Sequence, residues 1–481
     1  MRIPLDPLSK IPLYRQIETW LQENILNGSL QPETRLPATR VLSEKLGVSR
    51  ITIKNAYANL ESGGLIHTRM GSGTYVSQPE TPAPTSLPHW PLWQAEALPQ
   101  GTPEKESTDS YVVRSDLISF TGVGDSLLAP LKDFNRALQH VLRQEGMAAL
   151  DYGSFDNGYP PLRRTVVQML ASQGIQASPH DVLITSGSQQ ALALVCQVLL
   201  KPGDVVLVEK PTYNYALELF RVMDLKIVGV PVDEAGMQVS LLEPLLQQIH
   251  PKLIYTIPNF QNPSGASMSL PRRRQLLELA GRYNVPILED DFAGDLRFEG
   301  RALPAVKALD TGGCVVYVGT FSKMLMPGLR LGFLLANGPI FDRLLHQKCV
   351  IDLTTSPLMQ RAVHQYATIG RYQTHLRRSS RLYRARRDAL CDALRRHLPQ
   401  ATYHLPHGGL FLWLKLPAGV SSTALLPAAL NEGVEFTPGT KFFDTPEEGE
   451  PFLRLNFASR SEAEIEEGVR RLSLALNKGY K

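Results

Sequence analysis

Apolar residues recur at helical spacing near the start of the chain: Leu13, Ile17, Leu21 and Ile25 line one face, and Gly28 supplies a stop. Pro37 suits the first turn of a second helix, with Val41, Leu42 and Leu46 facing inward. "LGVSRITIKNAYANLESGG" predicts a turn at Gly47, an N-cap at Ser49, a third helix and an ending at Gly63–Gly64. "LIHTRMGSGTYVS" follows as two short strands around a glycine-rich tip. The pattern then lapses. Residues 78–112 are rich in proline and polar side chains, show no sustained periodicity and read as a linker. From about residue 113, strand-like runs such as "DVLITSGSQQ", "DVVLVEKPTY", "KLIYTIPN", "VPILEDD" and "CVVYVGTFSK" alternate with helical ones. Each is an apolar strand ending in polar residues, which predicts a mainly parallel, doubly wound sheet with ligands at the strands' carboxyl ends. From about 356 the chain opens on Arg-rich helical sequence and closes on "GGLFLWLKL" and "PFLRLNFAS", which suits a smaller α+β lobe. The expected layout is α/β: domain 1–77, linker 78–112 and domain 113–481. Within the last, a parallel-sheet large lobe covers about 150–355, and the small lobe takes about 113–149 with 356–481.

At 481 residues the chain is too long for one core, in keeping with that division. A net charge of +4 is too small to make the whole molecule a polycation, so any nucleic-acid affinity must sit in a local patch. Cys196, Cys314, Cys349 and Cys391 lie far apart without a CxxC pair and read as buried thiols in a reducing compartment. "MRIPLDPLSK" lacks the apolar stretch of a signal peptide, and "ALALVCQVLL" is too short to cross a bilayer. A cytoplasmic protein with no membrane partner is expected. His404 and His407 have HxxH spacing but no third ligand nearby, so a loop role is expected and no metal.

Three helices and a hairpin make the winged helix-turn-helix plan, in which the second helix of the motif enters the major groove. Here that helix begins Ser49-Arg50-Ile51-Thr52, with Lys54 one turn on. Arg50 can fork onto a guanine edge or a phosphate, and Thr52 can bond either. Arg40 and Lys45 can hold backbone phosphates, and the tip around Gly71 is small enough for a minor groove. Residues 1–77 carry nine Lys/Arg against six Asp/Glu, and charge alone leaves a protein-interaction domain equally open. The pattern goes further: the G-x-L, LP-x-x-R, LGVSR, AY-x-x-L and G-x-GT-x-V segments, in order, resemble the winged-helix domain of the GntR family of bacterial regulators. The resemblance implies operator DNA as partner, with Arg40, Arg50, Thr52, Lys54 and Gly71 at contact positions.

In the second domain "TSGSQQAL" joins a strand to a helix through Ser186, Gly187, Ser188 and Gln189, and backbone N–H groups there make an anion cup. Ser322 and Arg330 can serve the same anion. Asp290, Asn262 and Lys323 each have an ordinary structural explanation taken singly: a cap, a turn and a surface lysine. Together they answer the needs of pyridoxal 5'-phosphate: a dianionic phosphate, a ring nitrogen best kept protonated, a phenolic oxygen and an aldehyde. "SGSQQAL", "PTYNYAL", "NPSG", "EDD", "SKMLMPGLRLG" and "LRLNF" resemble fold type I aminotransferases in order and spacing. That resemblance implies Lys323 as the Schiff-base lysine, Asp290 on the ring nitrogen, Asn262 on the phenolic oxygen and Tyr213 over the ring. It places Ser188, Gln189, Ser322 and Arg330 on the phosphate, with Tyr152 reaching across from a second subunit and Arg454 on a substrate or effector carboxylate. One position departs: relatives carry tyrosine two residues after the aspartate, and this chain has Phe292. That departure puts efficient transamination in doubt. A GntR-type winged helix joined to an aminotransferase-like domain resembles the MocR/GabR group of transcription regulators. It implies a head-to-tail homodimer that senses pyridoxal phosphate or an amine or amino-acid effector. The alternative is an aminotransferase with an appended regulatory winged helix.

Overall fold

In the computed structural model, Ile17 and Leu21 are fully buried on the inner face of the first helix, Leu13–Leu26. The structure describes residues 3–6, 9, 11–69, 71–77, 116–122, 124, 128–153, 157–323, 325–368 and 370–479. The chain divides into two units, Met1–Tyr111 and Val112–Lys481. The stretch 78–112 read as a linker lies outside the described residues, as does Met70 of the hairpin tip.

The first unit adds helices Thr39–Leu46 and Arg50–Ser62 and an antiparallel hairpin of Ile66–Arg69 with Gly73–Val76. Gly47 takes the left-handed conformation at φ +66 that turns the chain between the two helices. Ser49 caps the third helix by accepting from the Thr52 N–H at 3.1 Å. Leu42, Ile53, Ala56, Leu60, Ile66 and Val76 complete a core with Ile17 and Leu21.

Two expectations fail here. Pro37 is not in the first turn of the second helix, which begins at Thr39; its carbonyl instead accepts from the Tyr57 hydroxyl at 2.8 Å. Val41 does not face inward but is 56% exposed. Leu42 and Leu46, four residues apart, share the buried side, and the preceding position is rotated about 100° away from it.

The second unit is built on an eight-stranded sheet. Its middle five strands, in the order Val315–Thr320, Ile287–Asp291, Leu253–Thr256, Val205–Lys210 and Lys226–Asp233, are parallel. Gly332–Leu335 pairs antiparallel between Val315–Thr320 and Val182–Thr185, and Gly236–Met237 closes the other edge antiparallel. Burial on both faces explains why the inner strands read as apolar runs, while Lys226–Asp233, nearer the edge, is only partly covered. A smaller antiparallel sheet of Thr402–Tyr403, Phe411–Lys415, Phe452–Asn456 and Thr437–Pro438 lies with the long helices Arg371–His397 and Glu462–Gly479, which pack on each other. Ile118–Ser119 pairs in parallel with Val434–Glu435, which ties the start of this unit to its carboxyl-terminal part. Cys196 and Cys391 are buried as expected, whereas Cys314 and Cys349 are only half-buried, one just before strand Val315–Thr320 and one on helix Pro339–Asp352. Among the described residues no helix is long and apolar enough to cross a membrane.

The two faces of the second helix give a direct check. Leu42→Ala should cost the first unit about 2–5 kcal/mol, while Val41→Ala stays within about 0.5 kcal/mol. Urea unfolding followed by circular dichroism reads both, and equal losses would contradict the assigned faces.

Candidate functional sites

Strand ends bring the chemistry of the second unit together. Val182–Thr185 runs into helix Ser188–Leu199 through Ser186 and Gly187, whose φ of +100 favours glycine. A Cβ on Gly187 would lie 2.8 Å from Arg330 Nη2, so the missing side chain is what admits the guanidinium to this helix start. Arg330 Nη2 donates to the Ser186 carbonyl at 3.3 Å, and Gln189 Nε2 donates to the Tyr215 carbonyl at 3.1 Å.

Asp290 is the penultimate residue of strand Ile287–Asp291 and is buried; the Tyr255 hydroxyl, from the neighbouring strand, donates to its Oδ2 at 2.9 Å. Burial pushes the Asp290 carboxyl up to about 7, opposed by the Tyr255 hydrogen bond and by the charge of Lys323. Lys323 lies just beyond Val315–Thr320, in a turn where the Ser322 N–H donates to Thr320 Oγ1 at 3.1 Å. Burial lowers the Lys323 ammonium to about 8, helped by Arg330 and Arg454 and opposed by Asp290.

Asn262 sits in a loop anchored by buried Arg273, which donates to the carbonyls of Pro258 and Met268 at 2.9 Å each. Asn262 Oδ1 accepts from Arg454 Nη1 at 2.9 Å. Arg454 also donates to the Thr121 carbonyl at 3.2 Å, and its guanidinium lies 4.1 Å from the ring centre of Phe411 and 4.9 Å from that of Phe442. Burial draws its pKa down to about 10. Tyr213 precedes helix Asn214–Val222 and meets Tyr215 edge-on at 5.8 Å; burial, then Asp290, raises its phenol. Phe292 is buried and stacks on Phe411 at 6.1 Å.

Lys323, Asp290, Ser322, Arg330, Asn262, Tyr213 and Arg454 therefore belong to one neighbourhood, with Ser188 and Gln189 at the adjoining helix start. Tyr152 is 63% exposed. Tyr255, Thr121, Phe411 and Phe442 were not anticipated. Their places beside Asp290 and Arg454 come from elements far apart in sequence, a proximity that no local pattern discloses. Buried Asp290 Oδ1, Ser322 Oγ, Gln189 Oε1, Thr212 Oγ1 and Arg454 Nε have no hydrogen-bond partner among the described residues. Such atoms are costly unless a ligand meets them. An acceptor for a protonated ring nitrogen, a hydroxyl beside an N–H-lined helix start and a free amine fit pyridoxal phosphate.

In the first unit Lys45, Ser49, Arg50, Lys54 and Gly71 are exposed, and Ile51 is 70% exposed beside them. Thr52 is half-buried and its hydroxyl lies 2.8 Å from Ser49 Oγ, so those two are joined to each other. Arg40 is exposed and pairs with Glu44 at 3.2 Å. Among the described residues no cluster of three metal-ligating side chains occurs; His404 faces Glu234 at 3.5 Å and His407 faces Glu299 at 3.4 Å.

Comparison with known proteins gives two family matches: "Aminotransferase class I and II" over residues 120–472, and "Bacterial regulatory proteins, gntR family" over residues 13–76. The chain is 33% identical over 469 residues to the uncharacterized HTH-type transcriptional regulator YisV of Bacillus subtilis, covering 96% of this chain and 95% of that one. It is 31% identical over 479 residues to the probable rhizopine catabolism regulatory protein MocR of Rhizobium meliloti, covering 98% and 95%. Among solved structures, LysN, an alpha-aminoadipate aminotransferase of Thermus thermophilus complexed with N-(5'-phosphopyridoxyl)-L-leucine, matches with a TM-score of 0.73 at 36% identity. That match covers 80% of this chain and 98% of LysN. The expected pairing of a winged helix with a fold type I aminotransferase stands, and with it the cofactor.

An amine attacks an aldehyde only when neutral, so covalent capture of pyridoxal phosphate should accelerate as pH rises through about 8, where Lys323 loses its proton. Borohydride reduction followed by intact mass reads the capture, and Lys323→Ala should show none. A flat pH profile would place the reactive amine elsewhere.

Proposed function

Because the chain belongs to the class I and II aminotransferase family and carries a gntR-family segment at its amino end, we propose that it is a pyridoxal-phosphate-dependent transcription regulator. The observation that carries this reading is coverage. Regulators match 96% and 98% of the chain, so the winged helix and the aminotransferase-like unit travel as one device. On this reading residues 1–77 bind operator DNA, 78–112 link, and 113–481 hold the cofactor, in a cytoplasmic, head-to-tail homodimer.

Each residue then has a task. Arg50 and Lys54 project from the exposed face of the third helix toward bases and phosphates, with Thr52 and Ser49 at the helix start, Arg40 and Lys45 on the backbone and Gly71 at the wing tip. Pyridoxal phosphate, when bound, supplies an electrophilic aldehyde that bonds primary amines covalently. Lys323 offers the amine, and Asp290 accepts the ring N–H through the oxygen that Tyr255 leaves free. Ser188, Gln189, Ser322 and Arg330 hold the phosphate, joined by Tyr152 of a second copy; Asn262 serves the phenolic oxygen and Tyr213 covers the ring. Arg454 takes the carboxylate of an amino-acid effector. Lys323, when not bonded to the cofactor, would hold or lose a proton at Nζ beside Arg330 and Arg454, and the charged and neutral forms would give two states of different energy, which is what a switch needs.

Two outcomes test the reading. Arg50→Ala should weaken binding of the full-length protein to a duplex selected from a random pool by about 5- to 150-fold, the worth of one good contact. Cofactor capture should be unchanged. Sustained turnover of amino-acid and keto-acid pairs, without DNA binding at any salt, would replace the regulator by an aminotransferase. Separately, Phe292→Tyr adds a hydroxyl donor beside the Phe411 ring and should raise the single-turnover rate of amino transfer several-fold. An unchanged rate would show that Phe292 does not limit this chemistry.

A further inference from the structure

Helix Arg371–His397 carries nine arginines, and their partners divide them into two sets. Six are tied down: Arg371 to Asp133 at 3.6 Å, Arg384 to Glu299 at 3.1 Å, Arg387 to Glu299 and the Pro406 carbonyl at 2.8 Å each, Arg386 to the Ala458 carbonyl, Arg395 to Asp392 and Arg396 to Glu466. Arg377, Arg378 and Arg381 are exposed and make no hydrogen bond or ion pair among the described residues. Like charges four residues apart on a helix destabilise it by a few tenths of a kcal/mol, so nothing in the helix itself calls for Arg377 and Arg381 together.

These three line a groove. Two hollows of about 540 Å³ each adjoin through Leu128, Thr374 and Arg378. The first adds Lys132, Asp133 and Arg371, and the second adds Arg377 and Arg381. The lining thus has five cations and one carboxylate, and that carboxylate is already shared by Arg136 at 3.4 Å and Arg371 at 3.6 Å. Arg377 and Arg381 lie about 6 Å apart along the helix axis, close to the spacing of neighbouring phosphates on one strand. The groove is open and its cations are solvated, which suits an extended polyanion.

We propose that this groove binds the sugar–phosphate backbone of duplex DNA beyond the bases read from the third helix of the first unit. The proposal rests on the regulator reading, since it is the winged helix that brings a duplex to this chain. Guanidinium–phosphate contacts here add affinity and length dependence without base preference.

The test uses the full-length protein and one selected duplex in two lengths: the minimal site, and the same site extended by about two helical turns at each end. Arg377→Gln/Arg378→Gln/Arg381→Gln should leave the short duplex bound as before and weaken the long one on the order of ten-fold. On long DNA it should also flatten the dependence of log affinity on log salt by about one unit per arginine engaged. The triple lysine variant should keep most of the affinity, and Arg395→Gln, which removes a paired arginine of the same helix, should change nothing. Equal affinity of wild type and triple glutamine variant for long DNA would overturn the groove and leave the winged-helix reading standing. Binding of neither duplex by wild type would overturn both. A change of oligomeric state in the triple variant would assign these arginines to a subunit contact and overturn the proposal.

Discussion

Arg454 is a buried cation with no carboxylate partner among the described residues, and the pocket around it is arranged to meet that cost. A charge taken from water without a counter-ion is one of the most expensive things a protein can bury. Here the guanidinium is met by the dipoles of Asn262 and the Thr121 carbonyl and by the faces of Phe411 and Phe442. This explains why elements far apart in sequence converge on it: the loop at 262, the start of the unit at 121, strand Phe411–Lys415 and the turn Gly439–Phe442. The excess of positive charge also reaches Lys323, whose proton is easier to lose beside Arg330 and Arg454. Asp290 opposes them at Lys323, and its own burial works against ionisation. A ligand that brings a phosphate, a carboxylate and a protonated ring nitrogen cancels all of these costs at once.

Close approach of backbone is the second requirement. A Cβ on Gly332 would lie 2.8 Å from the Gly187 carbonyl carbon and 2.9 Å from the Gly319 oxygen, so three strand ends meet where only glycine fits. Their meeting sets Arg330 against the start of helix Ser188–Leu199, and with it the anion-holding end of the pocket. Position there is fixed by the sheet, which is why the chemistry sits at strand ends and not on free loops.

What the sequence disclosed follows from the range of the interactions involved. Caps and turns are local, so Ser49, Gly47 and Gly63–Gly64 could be placed to the residue. The parallel sheet was legible because strands buried on both faces have no polar alternation. Inward and outward faces of a short helix were not: eight residues with Val41 and Leu42 adjacent offer two nearly equivalent faces, and contacts with distant Ile17 and Ile53 decide between them. The residues of the pocket with named chemistry were readable as a constellation. Tyr255 was not, because its role depends on lying in the strand next to Asp290, a register that a single apolar run does not specify.

The arginines show how the same side chain separates into structural and ligand-facing roles. Arg273 is completely buried, yet it donates to the carbonyls of Met268, Pro258 and Pro304 and to Asn259; its fork is filled by the chain and it holds a loop in place. Arg387 is likewise buried and filled, by Glu299, Asp388 and the Pro406 carbonyl. Arg454 is nearly as buried as these but keeps an Nε without a partner among the described residues, whereas Arg330 is exposed and spends one bond on the Ser186 carbonyl. The guanidinium has five N–H donors, and leaving some unmet in a closed pocket is tolerable only where a ligand meets them. Burial therefore does not separate these three arginines; what sets Arg454 apart from Arg273 and Arg387 is a buried donor with no partner among the described residues. Exposed arginines follow a weaker form of the same rule, since water fills their forks at little cost. There, what marks a group for a partner is the absence of acids around several cations that lie together.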